Sequence, residues 1–171
     1  MTNNQLTFTA LANEYCALVE NASQSTVAEF TGEAVRLLPR LYITADGILR
    51  SLREAVEDVE AYIPSALDED YYNSVRLGIE TLLGPDDTFL EVFEQDMRYS
   101  DTPIGASIAE HLADIFQELY NFLEGVRDAP DDLVDELFAA VTDDFEQFWS
   151  QRLVNVMRPL NALRFSAPEE E

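Results

Sequence analysis

The sequence predicts an all-α fold, a single-domain antiparallel bundle of about six helices, and three observations carry that expectation. Apolar residues recur at three- and four-residue spacing almost from end to end, with no useful length of β-type alternation. Thr26 precedes Glu29 by three residues and Ser107 precedes Glu110 by three, each at the head of an apolar stripe, which is the spacing of a capping box. Gly84-Pro85 closes another stripe with a residue suited to the helix end and one that cannot continue it.

The elements follow in order. Phe8, Leu11, Tyr15, Leu18 and Val19 form the inward stripe of a first helix, from about Asn4 to Ala22. After a polar break at Ser23 to Ser25, the Thr26 cap opens a stripe of Val27, Phe30, Ala34, Leu37, Leu38, Leu41 and Tyr42. Pro39 lies inside it and predicts a kink or short break near Leu38, because proline lacks an N–H and clashes with the preceding turn. The pattern resumes through Ile48, Leu49 and Leu52. Ala61 to Leu67 is a connection containing Pro64. Asp68 opens the next helix, with carboxylates at its positive end and Val75, Ile79, Leu82 and Leu83 facing inward. Beyond Gly84-Pro85 the spacing predicts a loop and a short helical turn around Phe89 to Phe93. The helix from Ser107 to Arg127 has the cleanest stripe. A final long helix runs from Asp131 toward Arg164, with Phe145, Trp149 and Val156 inward and Pro159 expected to bend its last turns. The domain spans residues 1–165, and 166–171 read as a disordered acidic tail.

Charge is the sharpest bulk property. Asp and Glu number 34 against 10 basic residues, all of them arginine, for a net charge of −24. Such a chain repels phosphate backbones and anionic lipid, so nucleic acid and membrane are not expected partners. No run of about 18 apolar residues and no leader-like amino terminus occurs, so the chain reads as cytoplasmic. The acidity fits either a solvated surface or a salt-adapted protein. Crowded like charges destabilise the compact state, and salt screens them. The thermal midpoint is therefore expected to rise as NaCl increases from about 0.05 M to 1 M, where the Debye length shrinks severalfold. A flat or falling midpoint would show the acids to be well paired or too dispersed to matter.

His111 is the only histidine and Cys16 the only cysteine, so no two-histidine or zinc-type ligand set exists, and neither a metal nor a cofactor is expected. His111 reads as a helix-surface histidine beside acidic neighbours, and Cys16 as a small core residue. The candidate ligand-binding residues are Asp86, Asp87, Glu110 and Asp114. Glu110, Asp114 and Glu118 stand at i, i+4 and i+8 and line one helix face, where carboxylates could hold Mg²⁺ or Mn²⁺. Glu54 and Glu57 form a second pair. Chance pairs are frequent among 34 acids, and the plainer reading is a solvated face. Asp86 and Asp87 follow Gly84-Pro85 in a loop, where turn chemistry and helix capping compete with function, as they do for Asp101. Arg76, Arg127, Arg152 and Arg158, on otherwise apolar-faced helices, are placed to pair with carboxylates across the bundle or to grip an anion.

Several stretches carry a resemblance. They include Leu11-Ala-Asn-Glu-Tyr-Cys16, Leu37-Leu-Pro-Arg-Leu-Tyr42, Asp70-Tyr-Tyr-Asn-Ser-Val-Arg76, Leu82-Leu-Gly-Pro-Asp-Asp87, Ser107-Ile-Ala-Glu-His-Leu-Ala-Asp114 and Phe148-Trp-Ser-Gln-Arg-Leu-Val-Asn155. In this order they span nearly the whole chain, which resembles a bacterial family known as domain of unknown function 5063. The resemblance implies an all-helical fold and no particular activity or site. The leading expectation is a protein-interaction or regulatory module without catalysis, acting on a protein partner. The alternatives are a Mg²⁺- or Mn²⁺-dependent hydrolase using helix carboxylates, and an acidic mimic of DNA.

Overall fold

The computed structural model describes residues 1–55, 62–91 and 104–166. Helix α1 (Asn3–Glu20) opens on a capping box between Thr2 and Gln5. A 3₁₀ turn at Ala22–Gln24 leads to α2 (Val27–Ala55), where the Thr26 hydroxyl accepts from the Glu29 N–H at 3.2 Å. Helix α3 (Glu69–Leu83) starts at Asp68, whose carboxylate accepts from the Tyr71 N–H, and stops at Gly84. The Gly84 φ of 57° lies in the left-handed region, where a residue without Cβ is cheapest. Helix α4 (Ile108–Arg127) is capped by Ser107. Helices α5 (Asp131–Asp144) and α6 (Ser150–Ser166) are the two halves of one rod, joined by a π-helical turn at Phe145–Trp149.

The fold is a single all-α domain, and three local expectations change. Helix α2 runs unbroken through Pro39. Leu37, Leu38 and Leu41 are buried around that proline, so tertiary packing holds the helix where local propensity would interrupt it. The segment after Gly84-Pro85 is a 3₁₀ turn followed by a strand, not a helical turn. Strand β1 (Thr88–Leu90) pairs antiparallel with β2 (Gly105–Ser107), Thr88 opposite Ser107 and Leu90 opposite Gly105, and the Glu91 N–H donates to the Ile104 carbonyl. The two pairing segments are far apart in sequence, so no local period reveals them. The last helix contains the π turn, and α6 continues through Ser166. The tail at 167–171, Glu57, Asp101 and the residues from Val92 to Phe93 lie outside the described residues.

Helix α4 lies at the centre, against α1, α3, α5 and α6, while α2 packs on α1 and α6. Its buried residues include Ile108, Leu112, Ile115, Phe116, Leu119 and Phe122. The aromatic heart is made by Phe8, Phe122, Phe138 and Trp149, with Phe122 and Phe138 edge to face at 4.9 Å between centroids. Cys16 is buried in the same core, and burial pushes its thiol well above the usual range. Among the described residues, no helix is long and apolar enough to cross a membrane.

Candidate polar site at the head of α4

The first two turns of α4 gather most of the buried polar chemistry. Asp87, at the end of the 3₁₀ turn, is buried; its Oδ2 accepts from the Ser107 hydroxyl at 2.6 Å and its Oδ1 from the Ala109 N–H at 2.7 Å. An anion at a helix amino terminus meets unpaired N–H groups and the positive end of the dipole. Asp87 is therefore a second cap on α4, spliced onto the Ser107 cap. Asp86, one residue earlier, is exposed.

One turn further in stands His111, only 2% exposed. This corrects the expectation of a surface histidine. On a helix, His111 falls between Ile108 and Ile115 at i+3 and i−4, so it belongs to the inward stripe. Its Nδ1 lies 3.1 Å from the Ser107 carbonyl, which can only accept, so that nitrogen carries a proton. Its Nε2 faces Glu91 Oε1 at 3.2 Å and Arg152 Nη1 at 3.4 Å. Glu91 is 3% exposed, and its Oε1 also accepts from the Asn155 amide at 2.5 Å. Phe89 closes the apolar side of the imidazole, edge to face at 5.2 Å. Strand alternation explains the geometry: Phe89 and Glu91 point inward while Thr88 and Leu90 are exposed.

Outside this pair lies a half-exposed layer. Arg152 Nε approaches Asp114 Oδ2 at 3.5 Å, an ion pair across the bundle, and Asp114 Oδ1 accepts from the Tyr72 hydroxyl at 2.6 Å. Burial and the bond to Asp114 hold the Tyr72 phenol well above its usual range. Glu110, between Asp87 and Asp114 in sequence, is exposed. Thus Asp87 and Asp114 belong to one polar network, whereas Asp86 and Glu110 remain at the surface. Arg76 and Arg127 pair along their own helices, with Glu80 and Glu124. Two grooves, of about 320 and 470 Å³, lie elsewhere, one lined by Glu14, Glu33, Arg36 and Arg40 and the other by Asn3, Asn4, Ser51 and Asp135. Among the described residues, no three His, Cys, Asp or Glu side chains gather as a metal site.

The third residue of the expected carboxylate row, Glu118, meets Asp144 between α4 and the end of α5. Burial first, then the charge and hydrogen bond of Asp144 and the charge of Asp114, push its carboxyl up to about 7. Asp144 is raised too, by burial and by Asp143. The folded state thus keeps a proton that the unfolded chain releases near 4.5. This contribution to stability is complete below that value and is lost as pH rises through about 7. Glu118→Gln should therefore raise the thermal midpoint at pH 7.5 and flatten its fall across this window. A midpoint equal to wild type at every pH would show that the carboxyl pair shares no proton.

The sequence model of a family described as "Domain of unknown function (DUF5063)" matches residues 1–166. No curated protein matches the chain. The crystal structure of protein BF1032 from Bacteroides fragilis is similar over 99% of this chain and 98% of that one, with a TM-score of 0.76 and 22% identity. That likeness is one of fold.

Proposed function

We propose, for a chain that belongs to the family described as domain of unknown function DUF5063, a protein-binding role without catalysis, exerted through the outer face of α6. One observation carries this reading. In a chain of net charge −24, the 17 residues of α6 contain three arginines and no acid. Arg158 and Arg164 are in no ion pair among the described residues; one donates to the Leu90 carbonyl and the other lies over the Phe165 ring at 4.9 Å. Val154, Arg158, Asn161 and Phe165 stand at i, i+4, i+7 and i+11 and are all exposed, Phe165 at 75%, with Leu90 beside them. Arginine and aromatic residues with carboxylates excluded are the composition of an interface core. Its arginines suit a protein surface that presents carboxylates.

The polar network supports the same reading. Asp87, Glu91, His111 and Asn155 spend their hydrogen bonds on one another and on α4, which makes them a lock for the strand pair. A photoreactive residue replacing Asn161 tests the proposal in extract of the native host. The expected result is a covalent adduct with an acid-rich peptide, strongly reduced by Arg158→Glu with Arg164→Glu. No adduct, or one indifferent to those charges, would sink it.

A further inference from the structure

The rod formed by α5 and α6 carries its charges in two blocks. Helix α5 has six acids in 14 residues: Asp131, Asp132, Asp135, Glu136, Asp143 and Asp144. Helix α6 has three arginines and no acid in 17. Asp132, Glu136 and Asp143 are exposed at i, i+4 and i+11, and none is in an ion pair among the described residues. Arg158 and Arg164 likewise lack acidic partners there. A single rod thus has a negative half and a positive half, and among the described residues the exposed acids of the first and two of the three arginines of the second are in no ion pair.

From this we infer that the partner of α6 is α5 of a second copy of this chain, in a two-fold dimer of antiparallel rods. The inference rests on the protein-binding reading of α6. Parallel rods would set acids against acids and arginines against arginines. Antiparallel rods set each acidic half against an arginine half, twice, in one closed isologous contact. The two halves are similar in length, at 14 and 17 residues. Val154 and Phe165 supply the apolar contact that charge alone does not. Both copies carry −24, but at physiological salt the Debye length is about 8 Å, so distant repulsion is screened while touching pairs are not.

The reversal of either block should abolish the dimer, and the two reversals together should restore it. Arg158→Glu with Arg164→Glu makes α6 negative; Glu136→Arg with Asp143→Arg leaves two arginines and only Asp132 in the exposed row of α5, which turns that row positive. Each double variant opposes like charges at both contacts, whereas an equimolar mixture opposes unlike charges at both. Sedimentation equilibrium over a range of concentrations should give wild type at twice the 19.3 kDa chain mass. Each variant alone should associate at least about tenfold more weakly, and the mixture should recover dimer. A wild type that stays monomeric, variants that still dimerise, or a mixture that stays monomeric would each overturn the inference. Circular dichroism reports whether the variants are folded. Should one not fold, hydrogen exchange of wild type at dilute and concentrated conditions decides, since only a dimer through these faces protects α5 and α6 on concentration. A monomeric chain whose Asn161 cross-linker captures another acidic protein would end the second-copy inference and leave the binding role of α6 standing. A cross-linker adduct indifferent to the α6 charges would end both.

Discussion

Trp149→Ala should destabilise the fold by about 3–5 kcal/mol, the range for large aromatic truncations in packed cores. That is a large part of the roughly 5–15 kcal/mol by which a domain is stable. Trp149 is 0% exposed, packs edge to face on Phe145 at 4.6 Å and stands 6.3 Å from Phe8. Its removal leaves a void where Phe8 of α1 meets the rod. The indole N–H also donates to the Val141 carbonyl at 3.0 Å, bridging the π turn. Trp149→Phe keeps much of the apolar contact and loses that bridge, so it should cost less than alanine. Urea unfolding followed by circular dichroism measures both. An alanine variant within about 1 kcal/mol of wild type would mean the site collapses freely. A native emission spectrum of water-exposed tryptophan would contradict its burial.

Glu91→Ala should cost a similar amount, about 3–5 kcal/mol, by a different route. The substitution removes the carboxylate that faces the His111 ring and accepts from the Asn155 amide, in a place with almost no solvent to replace it. The penalty is mostly that of leaving buried polar groups without partners. Replacing Glu91, His111 and Asn155 together by leucine should therefore cost less than Glu91→Ala alone, even though more is changed. Thermal midpoints read the difference, at roughly 2–4 °C per kcal/mol for a chain of this size. Hydrogen exchange locates it, with earliest loss of protection at Ala109 and the β1–β2 pairing. A triple variant less stable than the single one would indicate that the network stabilises the fold in its own right.

Most of the helical architecture is legible in the sequence, because amphipathic periods and caps are local. Asp68, Ser107 and Gly84 mark helix ends by side-chain and backbone chemistry that needs no distant partner. Trp149 is legible for the same reason, at helical spacing from Phe145 and Val156. The polar network is only half legible. Asp87 and Asp114 stand out as acids near a helix start, but their partners Ala109 and Arg152 follow only from the packed fold. Glu91 is hidden because Phe89 to Phe93 reads as a helical turn, where it would not alternate with Leu90. Asn155 and Tyr72 look like ordinary members of a helix, and only the packing of β1, α3 and α6 around α4 gives them their roles. His111 could have been placed by counting from Ile108.

The π turn at Phe145–Trp149 works as a phase adjuster. There the Ser150 N–H reaches back five residues, to the Phe145 carbonyl, so the turn holds one residue more than an α-helical turn would. One extra residue rotates everything downstream by roughly 100° about the helix axis. Leu137, Phe138 and Val141 before the turn and Leu153, Val156 and Leu160 after it consequently meet the same core, although a uniform helix would separate their faces. The length of this short segment is thus a coordinate of the fold, as a tooth count is in a gear. A deletion at exposed Gln147 would regularise the helix locally, yet it would swing Asn155 away from Glu91 and Arg152 away from Asp114. In descendants of this chain, insertions and deletions should be tolerated in the turns between helices and rejected inside these five residues.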